Sequence, residues 1–274
     1  MPTRDFAQSL DGLKIRYEIR GAGAPLALIM GFSGSGRAWG EPFLKLLADR
    51  FRIFMIDNRG TGESDKPDRS WKLTDMADDV ACVLDHAGTS ASHIYGISMG
   101  GMIAQEYALK YPTRVKGLVL GCTNCGAAHS PQANPENIAK LMPQPGMDPL
   151  EAARLAFSVA CGRAFLTSAA GHKTLGERMA ESADYPITPA HTYMRQAEAI
   201  GGFETYPRLG AIKAPTMIIH GDDDNIVPVA NAEILHQGIA GSKLKILPGA
   251  GHMFFWEQPE NSAKIPGDFL AAVK

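Results

Sequence analysis

The feature that most constrains this chain is a repeated beat. Short, nearly continuous apolar runs alternate with helix-length amphipathic segments. The runs occupy residues 25–30, 51–56, 93–97, 115–120, 216–219 and 244–247. Each is strand-sized, and a strand apolar on both faces belongs in a sheet covered on both sides. Residues 14–20 differ: Ile15, Tyr17 and Ile19 alternate with polar positions, as in a half-buried antiparallel strand. Between runs, residues 74–86 place Met76, Val80, Val83 and Leu84 on one helical face, with Thr74 and Asp75 as start signals. Residues 43–48 and 99–110 read as further helices, the second ended by Tyr111 and Pro112. This alternation predicts an α/β fold with a mostly parallel, doubly wound sheet.

The beat stops between residues 126 and 206. Helical patches at 135–142, 148–161, 174–182 and 190–200 fill that stretch, separated by proline and glycine. It is expected to be an inserted helical cap, with residues 1–125 and 207–274 forming the core. Its methionines and aromatics, among them Phe157, Tyr185 and Tyr193, are expected mainly to pack the insertion onto the core, some of them lining the space between. Near the end, Pro266 and Gly267 predict a kink or early break in a closing helix over 259–273.

Composition excludes several functions. The 27 basic and 29 acidic residues leave a net charge of −2, which makes no electrostatic case for a nucleic-acid or membrane-surface partner. No apolar run is long enough for a transmembrane helix, and the first residues lack a secretory segment. A cytoplasmic protein with reduced thiols is the expectation. Cys122 and Cys125 have C-x-x-C spacing, but no second pair accompanies them. They read as ordinary thiols rather than a redox or metal site. The 29 glycines gather in short groups between the apolar runs, where backbone must turn tightly or approach something closely.

One glycine group carries chemistry. Gly96-Ile97-Ser98-Met99-Gly100 lies between a strand and a helix. G-x-S-x-G in that context is a tight turn that lifts a serine hydroxyl out of the sheet. It also places the next N–H at a helix N-terminus, where negative charge is favoured. A serine needs a base. Of the eight histidines, His252 follows a glycine-rich loop after the last strand, whereas His220 ends the preceding strand and is expected to be its buried neighbour. His86 and His236 fall on predicted helices and are expected to be solvated. The acid should lie between serine and base in the chain. Asp222, Asp223 and Asp224 all qualify, and spacing does not choose among them.

Four motifs in order resemble the α/β-hydrolase superfamily, in its cap-bearing esterase, lactonase and C–C hydrolase branch. They are Met30 to Gly36, Asp57 to Ser64, Gly96 to Gly100, and Gly221 to Pro228 with His252. The resemblance implies an eight-stranded sheet. It places the catalytic acid three residues after Gly221, at Asp224, completing a triad with Ser98 and His252. It implies an oxyanion hole from the backbone N–H groups of Phe32 and Met99, and a structural role for the Asp57–Ser64 turn. Many relatives carry His-Gly where this chain has Met30 and Gly31, which loosens the link to C–C hydrolases. Gly31, Phe32, Met99, Met102, Met253 and Phe254 would surround an apolar acyl or alcohol group. The expected activity is hydrolysis of a small to medium carboxylic ester through an acyl-serine, with enol-lactone or diketone C–C cleavage as the alternative. No metal or organic cofactor is implied. The expected partner is a small-molecule ester or lactone, and an oligomer is compatible with the sequence. Ser98 argues against relatives with an aspartate nucleophile, and the intact triad against a non-catalytic binding protein.

Overall fold

The computed structural model describes residues 3–273 apart from 143, 145 and 184. Eight strands form one sheet: β1 (Thr3–Gln8), β2 (Lys14–Arg20), β3 (Ala24–Ile29), β4 (Phe51–Ile56), β5 (Ser92–Ile97), β6 (Val115–Gly121), β7 (Thr216–Gly221) and β8 (Lys243–Leu247). Their order across the sheet is β1-β2-β4-β3-β5-β6-β7-β8. β2 pairs antiparallel with both its neighbours, and every pairing from β4 to β8 is parallel. The doubly wound, mostly parallel sheet predicted from the apolar runs is therefore present. β1 is the strand that pattern did not announce. Only Ala7 of its six residues is buried, so there is no apolar run to see.

The core helices are α1 (Glu41–Ala48), α2 (Leu73–His86), α3 (Met99–Lys110), α9 (Ala230–Gly238), α10 (Phe254–Glu257) and α11 (Pro259–Ala271). They divide between the two faces because strand residues alternate. Leu26 and Leu28 of β3 pack with Phe43 and Leu47 of α1, Trp39, Phe255 and Leu270. Ala27 and Ile29 face the other way, into Met76 and Val80 of α2, Ile103 and Tyr107 of α3, and Leu235 of α9. Each such leucine or phenylalanine contributes about 1.5–3 kcal/mol through burial. α2 starts at Leu73, and its Asp75 carboxylate accepts the Lys72 N–H at 2.8 Å.

The expected break at Pro266 does not occur. α11 continues through it to Ala271, with Pro266, Gly267 and Leu270 all buried. Proline removes one intrahelical hydrogen bond there. Packing against α1 and burial of the residues beyond Pro266 outweigh that loss.

Between β6 and β7 the described residues contain no strand. They form α4 (Pro135–Ala139), α5 (Pro149–Ala160), α6 (Arg163–Thr167), α7 (Ala169–Ala183) and α8 (Ala190–Gly201). A single bridge between Gly126 and Glu204 draws the two ends of this segment together. β3 lies between β4 and β5, so the chain's crossing direction reverses beside it. The carboxyl ends of strands at such a switch point are where α/β sheets place ligands. The loops after β3 and β5 are those carrying Phe32 and Ser98.

Candidate active site

Ser98 directly follows β5 and is the cap residue of α3, with φ 54° and ψ −125°. A positive φ at a non-glycine residue costs on the order of 1–3 kcal/mol and persists only where the surroundings enforce it. Here the Ser98 N–H is tied to the Gly121 carbonyl at 2.9 Å. The flanking glycines are required by contact. A Cβ on Gly96 would lie 2.1 Å from the Gly100 oxygen, and one on Gly100 would lie 2.1 Å from the Ile29 oxygen. The β3 loop touches the turn directly, since a Cβ on Gly31 would be 3.0 Å from that of Ser98. Ser98 itself is half-buried. Met99 opens α3, so its N–H is one of those without an intrahelical acceptor.

The loops after β7 and β8 bring the acid and histidine together. His252 Nδ1 lies 2.7 Å from Asp224 Oδ2. The other carboxylate oxygen accepts the N–H groups of Ile226 and Val227 at 2.8 and 2.9 Å. Burial opposes ionisation of Asp224, but the His252 charge and hydrogen bonds from His220 and His252 outweigh it and hold the carboxyl below its ordinary range. Burial likewise opposes protonation of His252, and the Asp224 charge outweighs it, raising the imidazole above its ordinary value. His220 is fully buried, with Nε2 2.8 Å from the Val227 carbonyl and 3.3 Å from Asp224. Asp222 and Asp223 are placed elsewhere. Asp222 is exposed and accepts the Gly249 N–H at 2.6 Å, while Asp223 pairs with Arg163 of α6.

Two neighbours of this pair were not visible as such in the sequence. Cys122, fully buried after β6, lies against the Asp224–His252 pair, and burial pushes its thiol up. Its sulfur, an Asp224 oxygen and a His252 nitrogen lie within 4.8 Å of one another, the one such metal-type grouping among the described residues. Those carboxylate oxygens are already engaged by His252 and two N–H groups. Glu257 accepts the N–H groups of Gly251 and Gly162, each at 3.1 Å, and burial pushes its carboxyl up to about 7. It fastens the His252 loop to the start of α6.

The loop after β3 is fixed by the Asp57–Ser64 turn. Asn58 Nδ2 donates to the Met30 carbonyl at 2.8 Å, and Asp57 Oδ1 accepts the Gly36 N–H at 2.7 Å. Arg59 makes a two-pronged bond to Asp79 of α2. Phe32 is half-buried and meets Tyr193 of α8 edge-on, with centroids 5.5 Å apart. Met253 is half-buried, and Met102 is nearly covered. Phe254 is fully buried in the core cluster that holds Phe255 and Ile97.

A doubly wound sheet with a strained serine turn after β5 and a carboxylate–imidazole pair after β7 and β8 is the layout of a hydrolase built on the α/β fold. The chain belongs to the alpha/beta hydrolase fold family, whose family model matches residues 24–259. It is 32% identical to a Variovorax paradoxus (strain S110) protein provisionally named carbamate hydrolase RutD, over 95% of this chain and 97% of that one. Among solved structures it resembles the esterase RhEst1 of Rhodococcus sp. ECU1013, at 26% identity and a TM-score of 0.83, covering 99% of each chain. It also resembles Est816, described as an N-acyl homoserine lactone degrading enzyme, at 28% identity and a TM-score of 0.80, covering 97% of this chain and 100% of that one. Among the described residues no helix is long and apolar enough to cross a membrane.

Proposed function

We propose that this hydrolase cleaves carboxylic esters of small to medium, largely apolar substrates through an acyl-serine intermediate. The observation that carries the proposal is the buried Asp224–His252 pair, joined at 2.7 Å, whose neighbour Cys122 directly follows the Gly121 carbonyl that accepts the N–H of the strained Ser98 turn. Asp224 holds the proton of His252 on Nδ1, which leaves Nε2 as the base. His252 takes the Ser98 proton as the hydroxyl oxygen attacks the substrate carbonyl. The oxyanion that forms is received by the Phe32 and Met99 N–H groups, each worth about 3–4 kcal/mol in the transition state. The alcohol leaves with the proton held by His252, and water then cleaves the acyl-serine by the same base. Residues 126–206 act as the cap over this site, with Phe32, Met102 and Met253 contributing apolar wall.

Lactone cleavage uses the same steps, and the likeness to a lactone-degrading enzyme favours it as the second reading. A panel of p-nitrophenyl butyrate, p-nitrophenyl octanoate, an acyl homoserine lactone, an enol-lactone, an aryl carbamate and a vinylogous diketone tests the proposal. The esters should exceed the others in kcat/KM by about tenfold or more, a transition-state preference of about 1.4 kcal/mol. A lactone, carbamate or diketone turned over faster than both esters would overturn it.

A further inference from the structure

The loop carrying Phe32 contains a second strained residue. Ser33 has φ 57°, in a turn closed by the Gly34 N–H on the Gly31 carbonyl at 3.3 Å. A left-handed serine is uncommon and costs free energy unless neighbours hold it there. Both polar groups of its backbone are held by the inserted segment. Gln196 Oε1 of α8 accepts the Ser33 N–H at 2.7 Å, and the Thr188 hydroxyl donates to the Ser33 carbonyl at 3.0 Å. Gln196 is fully buried. Its amide nitrogen donates onward to the Arg59 carbonyl at 3.4 Å.

α8 is itself anchored to the core. His191 Nε2 meets the Lys66 carbonyl at 3.1 Å, Arg195 pairs with Asp68 at 3.0 Å, and Ser70 donates to Glu198 at 3.1 Å. The turn is thus gripped from two directions. Asn58 and Asp57 hold Met30 and Gly36 from the core side. Thr188 and Gln196 hold Ser33 from the other.

We infer that Gln196 and Thr188 are positioning residues for the oxyanion hole: by clamping Ser33 they keep the adjoining Phe32 N–H aimed at Ser98. On this view α8 belongs to the catalytic scaffold, although it lies within the inserted segment. The inference rests on the serine-hydrolase proposal above. Alignment of a donor matters more to the transition state than to the bound substrate, because the hydrogen bond tightens as negative charge develops.

The test compares wild type with Gln196→Met, which keeps volume but removes the acceptor, and with Thr188→Val. Turnover of a p-nitrophenyl ester is measured per active site titrated by a fluorophosphonate, so misfolded protein is not counted. Affinity for a trifluoromethyl ketone, which forms an oxyanion-like adduct, is measured beside that for the product carboxylate. Gln196→Met should lower kcat by about 10- to 100-fold with KM nearly unchanged. It should weaken the ketone by a similar factor and leave the product's affinity unaltered. Thr188→Val should do the same to a smaller extent. A kcat and ketone affinity within about twofold of wild type in Gln196→Met would overturn the clamp, as would equal weakening of ketone and product. A wild-type enzyme whose Ser98 does not label would instead remove the serine proposal, so the two failures are distinguishable.

Discussion

Asp224→Asn is the substitution whose outcome the geometry determines most fully. Asp224 Oδ1 accepts two backbone N–H groups at 2.8 and 2.9 Å, and Oδ2 accepts His252 Nδ1 at 2.7 Å. In the asparagine variant the two backbone donors still require an oxygen. The amide oxygen therefore stays with Ile226 and Val227, and the NH2 group faces His252. An imidazole facing a donor must offer the Nδ1 lone pair and carry its proton on Nε2. That tautomer has no acceptor for the Ser98 proton. The expected loss in kcat is about 10⁴-fold, or about 5.4 kcal/mol at 1.36 kcal/mol per decade. The shape of the side chain is retained, so the fold should be too. Asp222 and Asp223 provide controls of identical chemistry. Asp222 is exposed and holds only the Gly249 N–H, and Asp223 pairs with a largely exposed Arg163. Their asparagine variants should stay within about threefold of wild type, as expected of solvent-screened contacts. Steady-state kinetics on one p-nitrophenyl ester, with circular dichroism as a check of folding, decide the matter. Asp224→Asn retaining more than about a tenth of wild-type turnover would refute the reasoning, and so would equal damage from Asp222→Asn.

Two further outcomes follow from the same contacts. Although burial opposes it, the Asp224 charge raises His252 above its ordinary imidazole value, and a protonated His252 cannot accept the Ser98 proton. kcat/KM should therefore be low in acid and rise with pH through a midpoint above 6.5, and Asp224→Asn should move that midpoint down; full activity at about pH 5 would contradict the assignment. Tyr185 donates to the buried Asp57 carboxylate, so Tyr185→Phe should cost about 2 kcal/mol and lower Tm by about 4–8 °C in a thermal melt, an unchanged Tm counting against that contact as a stabilising one.

Much of the fold was legible because parallel strands buried on both faces leave continuous apolar runs. Residues 51–56 and 115–120 correspond to β4 and β6 for that reason. β1 was not, since an edge strand with one buried residue has no pattern to read. The break allowed for at Pro266 is absent because local propensity yields to tertiary burial, and α11 is covered where the proline falls. In the site, the motifs singled out Asp224 and His252, and these two side chains meet at 2.7 Å. Their neighbours were hidden. Cys122 looked like half of a C-x-x-C pair, and nothing local places its sulfur against a histidine 130 positions away. Gln196 and Thr188 lie on a segment read for its helices and its apolar side chains, and their contacts with Ser33 span more than 150 residues. Spacing reports on turns and faces; it does not report what a distant loop lays across them.

The proposed reaction requires Ser98 to be the nucleophile. A fluorophosphonate probe, followed by peptide mass spectrometry, tests it most directly. One equivalent of label on Ser98, abolished together with esterase activity in Ser98→Ala, is the predicted result. Label on another residue, or a Ser98→Ala variant that keeps most of its activity, would contradict it.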